Sequence, residues 1–139
     1  MSKSNYLENE LLKYIFNNVT TGFNSDAAYY FALHTADPGE AGAGDTNEVA
    51  YTGYARVLVS RNAGGFSVSG STVSNTAMVM FPACTDNLGG TPVATHYSIT
   101  RAASGASEIL YKAALTSSLA ISQNITPIIA ASAAVITED

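Results

Sequence analysis

Val93-Ala-Thr-His-Tyr-Ser-Ile-Thr-Arg101 carries the clearest strand pattern of the chain. Its odd-numbered residues include Tyr97 and Ile99, whereas its even-numbered residues include His96 and Ser98. Successive side chains of an extended chain point to opposite faces, so this alternation predicts a β-strand with two different faces. Turn residues on both sides of the stretch limit the strand to these positions.

Short runs of the same kind recur along most of the chain, separated by Gly, Pro, Asn and Ser. We predict strands at 27–34, 54–60, 66–69, 72–75, 77–81, 93–101, 108–115, 119–122 and 128–137. Many short strands with a turn after each are typical of an antiparallel β-sandwich, here of a jelly-roll-like kind. The sequence therefore predicts a mainly β protein with one sandwich domain at 23–139.

A different periodicity precedes the strands, at residues 5–19. Leu7, Leu11 and Ile15 recur at helical spacing, with further apolar residues beside them, which predicts one amphipathic helix. Either Ser4 or Asn5 can be the N-cap, and Glu8 follows Asn5 at the spacing of a capping box. We therefore predict an N-terminal helical arm at 1–22 in front of the sandwich.

Charge is scarce in this chain. Only 6 basic and 11 acidic residues occur among 139, which is 12 % against roughly 25 % in an ordinary soluble domain. Six basic residues are too few to neutralise a run of phosphates or to bind an anionic membrane surface, so we predict no nucleic-acid and no membrane partner. The surface is expected to consist mostly of uncharged side chains, unless other subunits cover part of it.

Targeting and cysteine chemistry are limited in the same way. Glu8 and Glu10 interrupt the place where a signal peptide would need an apolar run, so we predict no signal peptide. A lone cysteine, Cys84, excludes an internal disulfide and a cysteine-based zinc site. Its expected role is that of a small buried apolar residue.

The long loop at 35–52 contains the one cluster of metal-ligand residue types. His34, Asp37, Glu40, Asp45 and Glu48 lie close in sequence. Their carboxylates are spaced by 3, 5 and 3 residues, which does not match the regular short spacing of a calcium loop. We therefore predict no metal and no cofactor here, and expect a solvated loop in which Asp37 forms an Asx turn.

Ser98 and His96 lie on the same face of one predicted strand, as a nucleophile and its base would. Side chains two residues apart on a strand are about 7 Å from each other, which is too far for the required hydrogen bond. The chain also lacks a Gly-x-Ser-x-Gly elbow. We predict a structural histidine, no catalytic residue and no enzymatic activity.

Interfaces between subunits are the remaining candidate sites. Strands with little charge have poorly protected edges, which favours their being covered by partners. Arg56, Arg61 and Arg101 could pair with carboxylates of another subunit, and tyrosines are common interface anchors. The predicted interface residues are Tyr6, Leu7, Leu11, Asp37, Pro38, Tyr51, Tyr54 and Arg56.

Several motifs together resemble a family of small tailed-bacteriophage virion proteins. They include Ser4–Leu12, Phe81-Pro82 and Ala94–Ile99, and the most specific are Ala32-Leu-His-Thr-Ala-Asp-Pro38 and Tyr51-Thr-Gly-Tyr-Ala-Arg56. Members are described as tail-fibre-like, and some resemble capsid decoration, or cement, proteins. The resemblance covers nearly the whole chain and implies a structural part of a virus particle without catalytic residues. Thr100-Arg101, where relatives have Asp, departs from the family pattern.

Two functions in the virion follow as expectations. The first is a capsid decoration protein, made in the host cytoplasm, that binds the major capsid protein from outside the shell as a homotrimer and stabilises it by mass action. The helix and the 35–53 loop are expected to make these contacts. The alternative is a tail-fibre or tail-tip component that contacts the host surface. A free carbohydrate-binding module is a further alternative, although the chain has no Trp for a sugar platform.

Overall fold

The computed structural model describes residues 1–88 and 90–138. One α-helix, α1 (Asn5–Asn17), and a 3-10 turn (Gly22–Ser25) lie near the N-terminus. The strands are β1 (Ser2–Lys3), β2 (Ala28–His34), β3 (Val57–Ser60), β4 (Phe66–Ser69), β5 (Thr72–Asn75), β6 (Val79–Met80), β7 (Val93–Thr100), β8 (Ile109–Ala120), β9 (Ile128–Ile129) and β10 (Val135–Thr137).

The strands form antiparallel sheets of three sizes. The largest has five strands in the order β1-β8-β7-β2-β3, a second has the order β10-β5-β4, and β6 pairs with β9. A mainly antiparallel β fold with one N-terminal helix is therefore confirmed. The arrangement is sandwich-like, whereas the jelly-roll strand order and the division at residue 22 stay predictions.

The core lies between the five-stranded and the three-stranded sheets. Phe31 of β2 stacks on Tyr97 of β7 with ring centroids 6.2 Å apart, and on Phe66 of β4 at 6.3 Å. In the register, Phe31 is opposite Ile99 and Leu33 is opposite Tyr97. The odd-numbered residues Tyr97 and Ile99 of β7 thus share one face, as the alternation at 93–101 indicated, and this face meets the core. Burial of such large side chains is worth about 2 kcal/mol each and is the main source of stability.

The other face of the large sheet is covered as well. His34, Ser98 and Thr100 on this face are all fully buried, although they are polar. The loop at 35–52 lies over them, and Thr46 and Asn47 of this loop hydrogen-bond back to His34 and Thr35. The long loop is therefore a cover for the polar face of the central strands.

Four of the predicted strands have other bounds in the structure. The predicted strands 108–115 and 119–122 are one strand, β8, which bulges between Ala114 and Leu119 against β7. The predicted strand 128–137 is split, because Ser132 adopts a left-handed backbone (φ 59°) between β9 and β10. The predicted strand 54–60 begins at Val57, after a turn at Gly53 (φ 99°).

Helix α1 begins and ends by recognisable caps. The Ser4 side chain accepts a hydrogen bond from the Leu7 amide at 3.3 Å, so Ser4 is the N-cap rather than Asn5. The helix ends at Asn17, two residues before its predicted end at 19, and Asn18 caps it in the left-handed conformation (φ 53°). Leu7 is the buried residue of the helix. No helix in the described part of the chain is long and apolar enough to cross a membrane.

Candidate assembly surface

Arg56 lies at the centre of a buried polar network. Its guanidinium donates to both carboxylate oxygens of Glu48, at 2.7 and 2.9 Å, and to Ser107 at 3.0 Å. It also donates to the carbonyl oxygens of Ala102 and Gly105. Burial alone would lower the pKa of Arg56, but the Glu48 carboxylate outweighs it and leaves the pKa raised. The guanidinium thus joins the 35–52 loop to the turn after β7.

The two tyrosines near Arg56 complete this network. The Tyr54 hydroxyl donates to Glu48 at 2.8 Å and accepts from the Leu33 amide at 3.1 Å. The Tyr51 hydroxyl donates to the Pro82 carbonyl at 2.7 Å, and the two rings meet edge to face, 5.3 Å apart. Burial raises the pKa of Tyr51 to about 12. Both rings therefore act as internal packing in one chain.

Position 44 requires glycine because the loop backbone there lies very close to Ser107 and Arg56. A Cβ atom at Gly44 would lie 2.7 Å from the Ser107 hydroxyl and 2.9 Å from a guanidinium nitrogen of Arg56. Real Cβ atoms do not come this close to other heavy atoms. The loop backbone therefore passes so near to the guanidinium that only glycine fits.

The acidic residues of the loop are held by a lysine. Lys112 of β8 contacts Asp37 at 3.1 Å and Glu40 at 2.9 Å. The Asp37 side chain also accepts from the Gly39 amide at 2.8 Å, which confirms the predicted Asx turn. These hydrogen bonds hold the pKa of both carboxyls below their usual range. Among the described residues, no group of three or more His, Cys, Asp or Glu is arranged to hold a metal.

Ser98 is paired with His34, not with His96. Its hydroxyl lies 2.7 Å from Nε2 of His34, and Nδ1 of His34 lies 2.8 Å from the Thr46 carbonyl. The carbonyl can only accept, so Nδ1 carries the proton and Ser98 donates to Nε2. The atoms resemble a serine–histidine pair, yet both residues are fully buried, so no substrate reaches the hydroxyl.

The remaining arginines bind within their own chain. Arg101 contacts Asp26 at 2.6 Å and donates to the Tyr6 hydroxyl at 2.9 Å. Arg61 instead donates to three backbone carbonyls of the segment that contains the 3-10 turn. The hydrogen bonds that the guanidinium donates to the Asp26 carboxylate raise the pKa of Arg101.

The predicted interface residues differ in how accessible they are. The buried ones are Leu7, Pro38, Tyr51 and Arg56, the half-buried ones are Tyr6, Leu11 and Tyr54, and Asp37 is exposed. The structure brings Tyr54 and Arg56 together on Glu48, with Tyr51 packed against Tyr54, whereas the Tyr6 hydroxyl binds Arg101. Contact of this set with another subunit stays a prediction.

An exposed apolar surface lies instead on the outer side of α1. Leu12, Ile15 and Phe16 are 57 %, 64 % and 76 % exposed. They follow one another at i, i+3 and i+4, so they share one face of the helix. In the sequence they belong to the same apolar stripe as Leu7 and Leu11. The signal that could have separated them is the width of the stripe, since apolar residues from Leu7 to Phe16 cover more than one helix face.

Most of the positive charges of this chain are paired with its own carboxylates. All six cationic side chains lie in the described part of the chain, and of these Arg61 alone forms no ion pair with a carboxylate of the described residues. A surface of this kind has little to attract polyanions. Its apolar patches are the better candidates for contact with other proteins.

Comparison with known families places the chain in a phage protein family. Residues 2–137 match the family described as "Podophage GP4 fiber I protein gp80". The chain belongs to this family. It is therefore a member of a family of structural proteins of the phage virion, as the sequence motifs indicated, and the virion is its expected place. No curated protein matches the chain.

Proposed function

We propose that this chain is a subunit of a phage fibre, held in the virion by uncharged and apolar surfaces. The observation that carries the proposal is the match of residues 2–137 to a family described as a fibre protein. Because the match extends over nearly the whole chain, the proposed role belongs to the complete sandwich with its helix, and not to a small shared motif.

The surface supports this proposal physically. The outer side of α1 exposes large apolar side chains that a monomer in water would gain by burying. Contacts between permanent partners are typically of this kind, with a centre that is apolar and poor in charge. A homo-oligomer, of which the trimer is the form proposed from sequence, would remove these side chains from water.

Capsid decoration is the second candidate, and one observation favours it. The described residues form short sheets and a helix of 13 residues, with no long repetitive segment of the sort that builds a fibre shaft. A compact protein of this shape suits repeated binding to a shell. In that case its partner would be the major capsid protein and its location the capsid exterior.

Catalysis is not part of the proposal. The nearest approach to a catalytic pair, His34 with Ser98, is fully buried and satisfied by its own hydrogen bonds. We propose that the protein is not an enzyme and needs no cofactor. A free carbohydrate-binding module is less well supported, because the aromatic pairs Tyr51–Tyr54 and Phe31–Tyr97 are used for internal packing.

Cryo-electron microscopy of the particle, combined with copy number on a gel of purified virions, tests the two candidates. A fibre subunit would give density at the tail or neck and a few tens of copies or fewer. A decoration protein would give density at sites repeated over the shell and hundreds of copies. Shell density without tail density would overturn the fibre proposal.

A further inference from the structure

A small apolar cavity opens at the edge between the two larger sheets. Its volume is about 200 Å³, and Tyr29, Ile99, Phe66, Val73 and Ile136 line it. Tyr29 and Ile99 come from the five-stranded sheet, whereas the other three belong to the three-stranded sheet. We refer to it as the mouth pocket. Apolar cavities of ~150 Å³ can take up a benzene ring, so this one is large enough for a single apolar side chain.

Arg61 stands at the rim of the mouth pocket. Its guanidinium carbon lies 5.6 Å from the centre of the Tyr29 ring. Nη1 donates to the carbonyls of Phe23, Asn24 and Asp26, but none of the described residues accepts from Nε or Nη2. The pocket therefore combines an apolar interior with a cation that has donors to spare and no carboxylate partner.

Helix α1 carries a carboxylate next to exposed apolar side chains on its outer face. Glu8 lies one turn before Leu12 and two turns before Phe16, so the three side chains share a face, with Ile15 beside them. None of the described residues bonds to the Glu8 carboxylate, and its neighbours on this face are mostly exposed. We refer to Glu8, Leu12, Ile15 and Phe16 as the outer face of α1.

We propose that the outer face of α1 from one copy of this chain docks on the mouth pocket of a second copy. Leu12 and Phe16 cover the cavity, and the Glu8 carboxylate lies against the Arg61 guanidinium. The occupant is a second copy because the two surfaces match in charge and in polarity, and every copy carries both. The proposal deepens the assembly role proposed above and rests on it for its biological setting.

The area available sets the expected strength. Leu12, Ile15 and Phe16 together expose on the order of 400 Å², so one contact would bury roughly 800 Å² in total. This is below the standard size of a stable interface, and a single contact should be weak. A head-to-tail contact closes into a ring or extends as a filament, and in either form each copy makes two contacts, which strengthens the assembly.

Sedimentation velocity of the purified chain over a concentration series tests the proposal. The unaltered protein should associate as its concentration rises. Phe16→Ser should raise the dissociation constant at least about tenfold, because a large aromatic residue at the centre of an interface carries much of its free energy. The matched control is Leu88→Ala, which changes a residue that is 82 % exposed and outside the proposed contact. This control should associate as the unaltered protein does.

A charge exchange tests the pairing itself. Glu8→Arg and Arg61→Glu should each weaken association, and the double variant should restore it. Should Arg61→Glu disturb the 3-10 turn, Glu8→Gln and Arg61→Gln replace the pair: each should weaken association about two- to fivefold and the double variant by no more. Asp45→Asn, which removes another carboxylate that forms no hydrogen bond or ion pair with the described residues, should leave association unchanged.

Three results would overturn the docking proposal. These are a chain that stays monomeric throughout, equal effects of Phe16→Ser and Leu88→Ala, or additive losses in the double variant. Each is independent of where the protein lies in the virion, so the fibre proposal can fail by microscopy while this contact survives, and the reverse.

Discussion

Arg56 is a buried cation whose charge is compensated by the groups around it. Its side chain is 1 % exposed, and five hydrogen bonds to Glu48, Ser107 and two backbone carbonyls occupy it. A buried charge without a partner is strongly destabilising, whereas a paired one is close to neutral. The Arg56–Glu48 pair thus fixes the 35–52 loop in one position and adds little net stability.

Glu48→Gln should expose this dependence. The amide leaves the Arg56 charge buried and uncompensated, so we expect the free energy of unfolding to fall by about 3 kcal/mol. Glu138→Gln is the matched control, because Glu138 pairs with Lys3 near the surface, where such a pair is worth about 1 kcal/mol or less. Urea unfolding followed by circular dichroism measures both. Equal losses in the two variants would contradict the proposed role of burial.

His34 should make stability depend on pH in a defined range. Burial disfavours the imidazolium and lowers the pKa of His34, whereas the unfolded residue titrates near 6.5. As the pH falls below about 6.5 the unfolded chain takes up a proton that the folded chain does not, so stability falls. The loss continues until the pH reaches the lowered pKa of the folded state.

Unfolding in urea at pH 7 and pH 5 checks this prediction. The unaltered protein should lose up to about 1.4 kcal/mol for each pH unit in the affected range, and His34→Gln should lose less. The carboxyls of Asp37 and Glu40 have lowered pKa values, so their contribution is lost only at more acidic pH. Equal pH slopes for the two proteins would refute the assignment to His34.

Helix α1 is attached to the sheet by its first turn. The Ser4 side chain accepts from the Leu7 amide and donates to the Ile109 carbonyl of β8, and the Ser4 amide donates to Leu110 at 3.0 Å. One buried serine thus caps the helix and joins it to β8, the second strand of the large sheet. The C-terminal half of the helix has no such attachment and leaves its apolar side chains exposed.

Ser4→Ala should therefore cost more than an ordinary cap. The change removes the cap and leaves the Ile109 carbonyl without its side-chain donor, so we expect a loss of about 2 kcal/mol in the free energy of unfolding. Ser25→Ala, at an exposed position of the 3-10 turn, should cost less than about 0.5 kcal/mol. Thermal unfolding of both variants makes the comparison, and a loss no larger than that of Ser25→Ala would contradict the double role of Ser4.

Sequence patterns predicted those elements whose causes are local. The alternation around Tyr97 identified β7, the apolar run at 27–34 identified β2, and Asp37-Pro-Gly identified the Asx turn. The break at Ser132 was missed because serine has no marked preference for the left-handed conformation that it adopts there. The partner of Ser98 was missed because His34 is distant in sequence and is brought near only by the pairing of β2 with β7.

The same limit applies to the candidate surface. An apolar stripe on α1 could be seen in the sequence, but which part of it meets β8 depends on tertiary packing. The interface prediction accordingly included Leu7, which is buried within the chain, and omitted Phe16, which is 76 % exposed. Surfaces can be separated from core only once the partners of each face are known.

The N-terminal segment, residues 1–20, is part of the fold as well as a candidate surface. β1 pairs with β8, Lys3 contacts Glu138 near the other end of the chain at 2.6 Å, and Tyr6 meets Arg101. These contacts lie on the inner side of the segment, whereas Leu12 and Phe16 lie on its outer side. Stability and assembly should therefore be separable by variants of the same segment.

Deletion of residues 1–20, compared with the double variant Leu12→Ser/Phe16→Ser, tests this separation. The deletion removes β1, the buried Ser4 and Leu7, and the Tyr6 contact of Arg101, so we expect the free energy of unfolding to fall by about 3–5 kcal/mol. The double variant changes exposed side chains and should keep its stability within about 0.5 kcal/mol while it loses association. Urea unfolding and sedimentation velocity measure the two properties. A truncated chain as stable as the unaltered one would mean that the inner contacts of this segment add nothing to the sandwich.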